Sequence, residues 1–177
     1  DQQGLLVEDD PVLEDQQRPY AQRRNTVGGW TLDTPGKIGL LDVVRNAGAT
    51  VLVGVTAKRG LFDQSILKQL AKNTERPVVL ALSNPTAKTE CTPEEVVAAT
   101  GGRGLIATGS PFAPVKVGDR ELFASQCNNL FIFPGVGLGA LVAKAHKVTD
   151  QMFSAGAKAL STLVTPDERE ELQTEHL

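Results

Sequence analysis

A doubly wound parallel α/β sheet is the fold class this chain predicts, on three observations. Short apolar runs rich in β-branched residues recur through the middle of the sequence. Segments of helical periodicity separate those runs, and one of them opens on a clear capping signal. Uninterrupted apolar strands suit a parallel sheet covered on both faces. Their alternation with helices implies right-handed βαβ units.

Each element follows from its residues. Residues 8–36 are polar and weakly periodic, which predicts a long loop with one short helix. Ile38, Leu40, Leu41 and Val44 recur at helical spacing after Pro35-Gly36. Val51-Leu52-Val53-Gly54-Val55 reads as a buried strand, Pro77 to Leu82 as a second, and Leu105-Ile106-Ala107-Thr108 as a third. Asp63 is placed to cap a helix carrying Ile66, Leu67, Leu70 and Ala71. Thr92-Pro93-Glu94-Glu95 is a helix start, with a hydroxyl cap, proline at the first helical position and acids near the positive end of the helix dipole. Gly101-Gly102 ends that helix. Val115-Lys116-Val117, Gly118-Asp119 and Glu121-Leu122-Phe123 predict a small hairpin insertion. Gly135 to Ala145 reads as a helix of small residues suited to close packing. Thr149-Asp150 starts another helix, running to about Val164. The expected organisation is one domain over 1–165 and a polar, acidic tail over 166–177.

Composition narrows the function. With 18 basic and 21 acidic residues the net charge is -3, whereas a surface for nucleic acid or anionic lipid carries a basic excess. A hydrophobic content of 41% and a charged content of 22% fit a soluble globular domain. No apolar run approaches the roughly 20 residues of a membrane helix, and no signal peptide is visible. A cytoplasmic setting is expected. Cys91 and Cys127 are too few for a disulfide framework and lack metal spacing. His146 and His176 lie too far apart in sequence to complete a zinc site with them. No metal ligand is assigned within the chain.

Two asparagine sites stand out. Ser83-Asn84-Pro85-Thr86 follows the strand Val78 to Leu82, and Asn128-Asn129 precedes an apolar stretch. A carboxamide both donates and accepts hydrogen bonds, and one just past a buried strand can hold a small polar ligand or simply start a turn. Gly54-Val55-Thr56-Ala57 ends a strand where ligands of open α/β sheets bind; the glycine serves either a ligand's approach or a tight turn. Lys58-Arg59-Gly60 follows the same strand end, as solvated charge or as phosphate contacts. Asp1 is either a chain-end charge or an acid for ribose hydroxyls. Gly135-Val136-Gly137-Leu138-Gly139 has G-x-G-x-G spacing rather than the G-x-G-x-x-G of a phosphate loop, so helix packing is the better reading.

Taken together, Val53-Gly54-Val55-Thr56, Gly60-Leu61-Phe62 and Glu75-Arg76-Pro77 leading into Leu80-Ala81-Leu82-Ser83-Asn84-Pro85-Thr86 resemble malic enzymes. The resemblance continues through Glu90-Cys91-Thr92, Ala107-Thr108-Gly109-Ser110-Pro111-Phe112, Gln126-Cys127-Asn128-Asn129 and Phe133 to Gly139. It covers most of residues 50–155 in order and is strongest for bacterial NAD-linked members. It implies a Rossmann-like NAD-binding domain and the oxidative decarboxylation of malate to pyruvate and CO2. The cofactor implied is NAD, with NADP as the alternative; a Mn or Mg ion would act as Lewis acid. It places Asn84, Asn128 and Asn129 at malate, and Asp1, Gly54, Val55, Ser83, Asn84 and Asn128 at the cofactor, with Ser83 supporting Asn84. The parent protein is expected to be a homo-oligomer.

The family's catalytic tyrosine and lysine, its three acidic metal ligands, its first sheet strand and its glycine-rich loop have no match here. Tyr20 lies in the polar region and does not correspond to that tyrosine. The chain is therefore read as a fragment, an incomplete sheet with no catalytic residues of its own, inactive alone and a weak NAD binder. A standalone module for a small ligand or nucleotide, without catalysis, is the competing reading.

Overall fold

The computed structural model describes residues 4–11 and 13–163. Asp1 and the expected tail over 166–177 lie outside them. The chain forms two compact units, Asp1–Gln126 and Cys127–Leu177.

The first unit is built on four parallel strands, β1 (Val51–Gly54), β2 (Val78–Ala81), β3 (Leu105–Thr108) and β6 (Ser125–Gln126), in the order β1-β2-β3-β6. Val51 lies opposite Val78, and Val78 opposite Leu105. All three predicted strands are present. β6 was not expected, being two exposed polar residues that pair with Ala107 and Thr108. Helix α3 (Gln64–Asn73) connects β1 to β2, and α4 (Pro93–Thr100) connects β2 to β3. Together with α2 (Leu40–Asn46) they cover one face. Val44, Ile66, Leu67, Leu70 and Val96 meet Leu52, Val79 and Ala81 there. The other face differs from expectation at β1, where Val51 is 48% and Val53 58% exposed. Period-two alternation explains the contrast, since α2, α3 and α4 all pack against the Leu52 side.

The helix starts follow their caps. The Asp63 carboxylate accepts from Ser65 N and Ile66 N at 2.8 and 3.1 Å. Thr92 and Glu95 form a reciprocal capping box: Glu95 N donates to Thr92 Oγ1 and Thr92 N to Glu95 Oε2. Gly101 ends α4 with φ of +63°. The predicted hairpin is β4 (Val115–Val117) with β5 (Arg120–Leu122), turning at Gly118-Asp119.

The polar segment 8–36 holds more structure than one short helix. A 3-10 turn (Arg18–Tyr20) precedes α1 (Arg24–Val27), and Val27 joins Val7 and Ile38 in a second small core.

In the second unit, a 3-10 turn (Asn129–Phe131) leads into α5 (Phe133–Val142), and α6 (Asp150–Ser161) starts at its Thr149 cap. Among the described residues, the glycine stripe of α5 does not make the expected close packing: a Cβ on Gly135, Gly137 or Gly139 would meet nothing within 4 Å. The tight spot is Gly156 of α6, where a Cβ would stand 3.0 Å from Val136 Cγ2 and 3.1 Å from Ile132 Cγ1. The branched side chains of the α5 segment thus pack onto a glycine of α6, not the reverse.

Candidate functional site

The parallel register fixes which loops share an edge. Gly54 lies opposite Ala81, and Ala81 opposite Thr108. The loops after β1, β2 and β3 therefore leave the sheet side by side, at the carboxyl edge where ligands of open α/β sheets bind.

Asn84 is exposed on the loop after β2. Its Oδ1 accepts from Ser110 Oγ at 2.5 Å, and its Nδ2 makes a long 3.4 Å contact to Leu82 O. With the carbonyl end held, the amide end is left to act as a donor. Gly109 makes the arrangement possible: a Cβ there would lie 2.2 Å from Leu82 O and 2.8 Å from Asn84 Nδ2.

Beneath the edge lies Glu90, fully buried at 0% exposure. Its Oε1 accepts from Thr56 N (2.8 Å), Thr56 Oγ1 (2.8 Å) and Ser83 Oγ (2.5 Å), and its Oε2 from Ser83 N at 3.4 Å. Burial pushes this carboxyl up, but the bonds from Ser83 and Thr56 outweigh it and hold the group below the ordinary glutamate value. Glu90 is a carboxylate that needs no cation, because its donors are in place.

Ser83 braces the base of Asn84 rather than its side chain. Its hydroxyl turns inward, donating to Glu90 and accepting from Ala57 N at 2.8 Å; the side-chain support for Asn84 comes from Ser110. Gly54 also has a local reason. A Cβ on it would stand 2.6 Å from the Glu90 side chain and 2.9 Å from Phe62 Cζ. The close approach to this glycine is made by the protein's own glutamate. Val55, next along, is 75% exposed at the edge. Ala57 has φ of +54°, a left-handed conformation that costs a non-glycine residue roughly 1–2 kcal/mol. Lys58 and Arg59 follow it on the exposed loop.

Gly54, Thr56, Ser83 and Asn84 are thus drawn into one neighbourhood of the first unit. Asn128 and Asn129 belong to the second. Asn128 caps the 3-10 turn, its Oδ1 accepting from Leu130 N at 3.0 Å, and Asn129 is exposed. Cys91 is buried beside Glu90, its thiol pushed up to about 12 by burial and then by the Glu95 and Glu90 carboxylates. Sequence reasoning missed Glu90 and Ser110 as site residues. The one available signal was Gly54 inside an apolar strand, since glycine there often marks a close approach.

Among the described residues no group of three His, Cys, Asp or Glu could hold a metal ion. No helix among them is long and apolar enough to cross a membrane.

Comparison with known proteins gives this geometry a setting. The family model described as malic enzyme, NAD binding domain, matches residues 1–174. The chain belongs to this family. It is 50% identical over 161 residues to the NAD-dependent malic enzyme of Pseudomonas savastanoi pv. phaseolicola, covering 91% of the chain and 29% of that protein. It is 46% identical over 171 residues to the NAD-dependent malic enzyme of Pseudomonas aeruginosa PAO1, covering 95% and 30%. The enzyme of the same name from Acinetobacter baylyi is 48% identical over 161 residues, covering 91% and 28%. The chain therefore spans less than a third of the length of these malic enzymes. The parallel sheet and the loops at its carboxyl edge fit a Rossmann-like NAD-binding domain.

Proposed function

We propose that this chain is part of an NAD-dependent malic enzyme that oxidises malate and releases CO2, leaving pyruvate and NADH. The observation that carries the reading is the family match over 1–174 together with an exposed Asn84 whose carbonyl is pinned by Ser110. A carboxamide held that way offers N–H groups to an anionic acid or a carbonyl oxygen. Asn128 and Asn129 are assigned to the same ligands. Val55 would line the cofactor groove at the exposed edge, with the Gly54 and Ser83 backbone beneath it, and Asp1 would hold the ribose hydroxyls. Bound NAD would supply the hydride acceptor for the carbon bearing the malate hydroxyl. The Mn or Mg ion would be held by residues outside this chain.

NAD is favoured over NADP. A 2′-phosphate needs free positive charge. Asp1 would repel a 2′-phosphate, and of Arg18, Arg23 and Arg24 downstream of it, Arg24 forms a two-point pair with Asp9 at 2.6 and 2.8 Å and Arg18 pairs with Asp15 at 3.1 Å. The same reading carries a cytoplasmic, homo-oligomeric parent protein, with this 177-residue piece inactive and weak in NAD binding.

The test is steady-state kinetics of the intact protein with malate, a divalent ion and either dinucleotide. The unaltered protein is expected to turn malate over with NAD. Asn84→Ala should lose roughly a hundredfold in kcat/KM, the scale of one removed side-chain donor. No turnover by the unaltered protein, or full turnover by the 177-residue chain alone, would overturn the reading.

A further inference from the structure

We infer that Glu90 is a positioning residue: through Thr56 and Ser83 it locks the loop after β1 to the loop after β2, and so sets where the Asn84 carboxamide meets its ligand. The kinetic part of this rests on the malate reading.

The side chain springs from a fixed base. Phe62 N donates to Glu90 O at 3.1 Å, and Gly60 N to Thr89 O at 3.2 Å. Two residues on, Thr92 caps α4. From this base the carboxylate reaches under β1 through the space that Gly54 leaves bare. The carboxylate bonds Thr56 and Ser83, one from each strand-end loop.

Ser83 extends the link by one more bond. Its hydroxyl accepts from Ala57 N, so the same chain of contacts grips a residue in the left-handed region. Backbone in that region persists when its surroundings over-determine it. Asn84 follows Ser83 directly. Its base is set by Glu90 and its tip by Ser110, two anchors from different segments.

A buried charge that served packing alone would be matched or bettered by an apolar side chain of similar size. This one instead directs its bonds at the two loops a ligand would touch. Glu90 itself does not reach the surface, so it acts through Asn84 and the 55–57 turn rather than on the substrate.

The experiment is a double-mutant cycle in the intact protein, with hydrogen exchange as a second readout. Glu90→Gln keeps the shape, removes the charge and turns an N–H toward Ser83 N. It should lose roughly ten- to a hundredfold in kcat/KM for malate, the cost of displacing a group by up to about an ångström. In an Asn84→Ala background the same change should cost less than about threefold, since residues acting as one unit are not additive. Exchange protection should fall together at 55–58 and 83–86 and stay unchanged in α4. An equal loss in both backgrounds, or unchanged protection of the two loops, would overturn the proposal. Ser83→Ala, which cuts the link but leaves Glu90 bonded to Thr56, gives the same comparison if Glu90→Gln does not fold. Should the unaltered protein fail to oxidise malate, the reaction assignment falls by itself. The exchange comparison then decides the locking alone: joint loss sustains it and unchanged protection overturns it.

Discussion

The two compact units hold their apolar residues in opposite ways. In the first, Leu67, Leu70, Val44 and Val79 are fully enclosed between α2, α3, α4 and the sheet. In the second, the 3-10 turn, α5 and α6 contain no buried residue, and Leu141, Val142 and Leu138 are exposed. Secondary structure therefore has different origins in the two. In the first unit, helices α3 and α4 are fixed by caps and by burial together. Those of the second have a cap at Thr149 and a seam of Ile132 and Val136 on Gly156, while α5 carries three glycines, each costing about 1 kcal/mol of helix propensity. Helices gain most of their stability from packing an apolar face, so periodicity alone is the weaker guarantee.

Paired substitutions in the 177-residue chain can break this contrast. Leu67→Ala, in the enclosed core, is expected to cost about 2–5 kcal/mol in urea unfolding. Leu141→Ala, 77% exposed on α5, should stay within about 0.5 kcal/mol. Equal losses would show that the second unit is as tightly packed as the first. Glycines sharpen the point. Gly54→Ala, driven against Glu90 and Phe62, should destabilise by about 1–3 kcal/mol. Gly137→Ala, in a helix interior with open space around it, should stabilise by up to about 1 kcal/mol. The same denaturation series reads both.

The smallest effect concerns pH. Asp63 and Glu90, both in the first unit, are held below their ordinary values. At each, burial opposes and hydrogen bonds prevail. A depressed carboxyl adds stability above its unfolded value of about 4, and that contribution is lost as pH falls through the lower folded value. Acid should therefore weaken the first unit below about pH 4, followed by fluorescence of Trp30, the single tryptophan. Glu90→Gln should flatten that slope; an unaltered slope would mean its carboxylate contributes nothing.

These contrasts also mark what could be read in the sequence. β1, β2 and β3 are apolar runs bounded by polar residues, and α3 and α4 announce themselves through Asp63 and Thr92. The hairpin shows in Gly118-Asp119. β6 could not be foreseen, because Ser125 and Gln126 join the sheet by backbone bonds alone. Asn84 was legible as a candidate, but Ser110, its partner, is brought beside it only by the register of Ala81 with Thr108. Glu90 was hidden for another reason. A charged residue in a non-periodic connection carries no sign of burial, and its donors lie 7 and 34 positions away. The glycines of α5 suggested a packing stripe, but that role falls to Gly156.

The path from β3 to β6 has a practical consequence. Parallel neighbours are usually joined through a helix, whereas here the β4–β5 hairpin makes the detour, with Val117 resting near Gly102 at the end of α4. The alignment of β6 is set by Ala107 and Thr108, not by the length of the excursion. The bend at Gly118-Asp119 is thus a handle on the molecule. An epitope or fluorophore grafted there would extend into solvent without pulling on the strands.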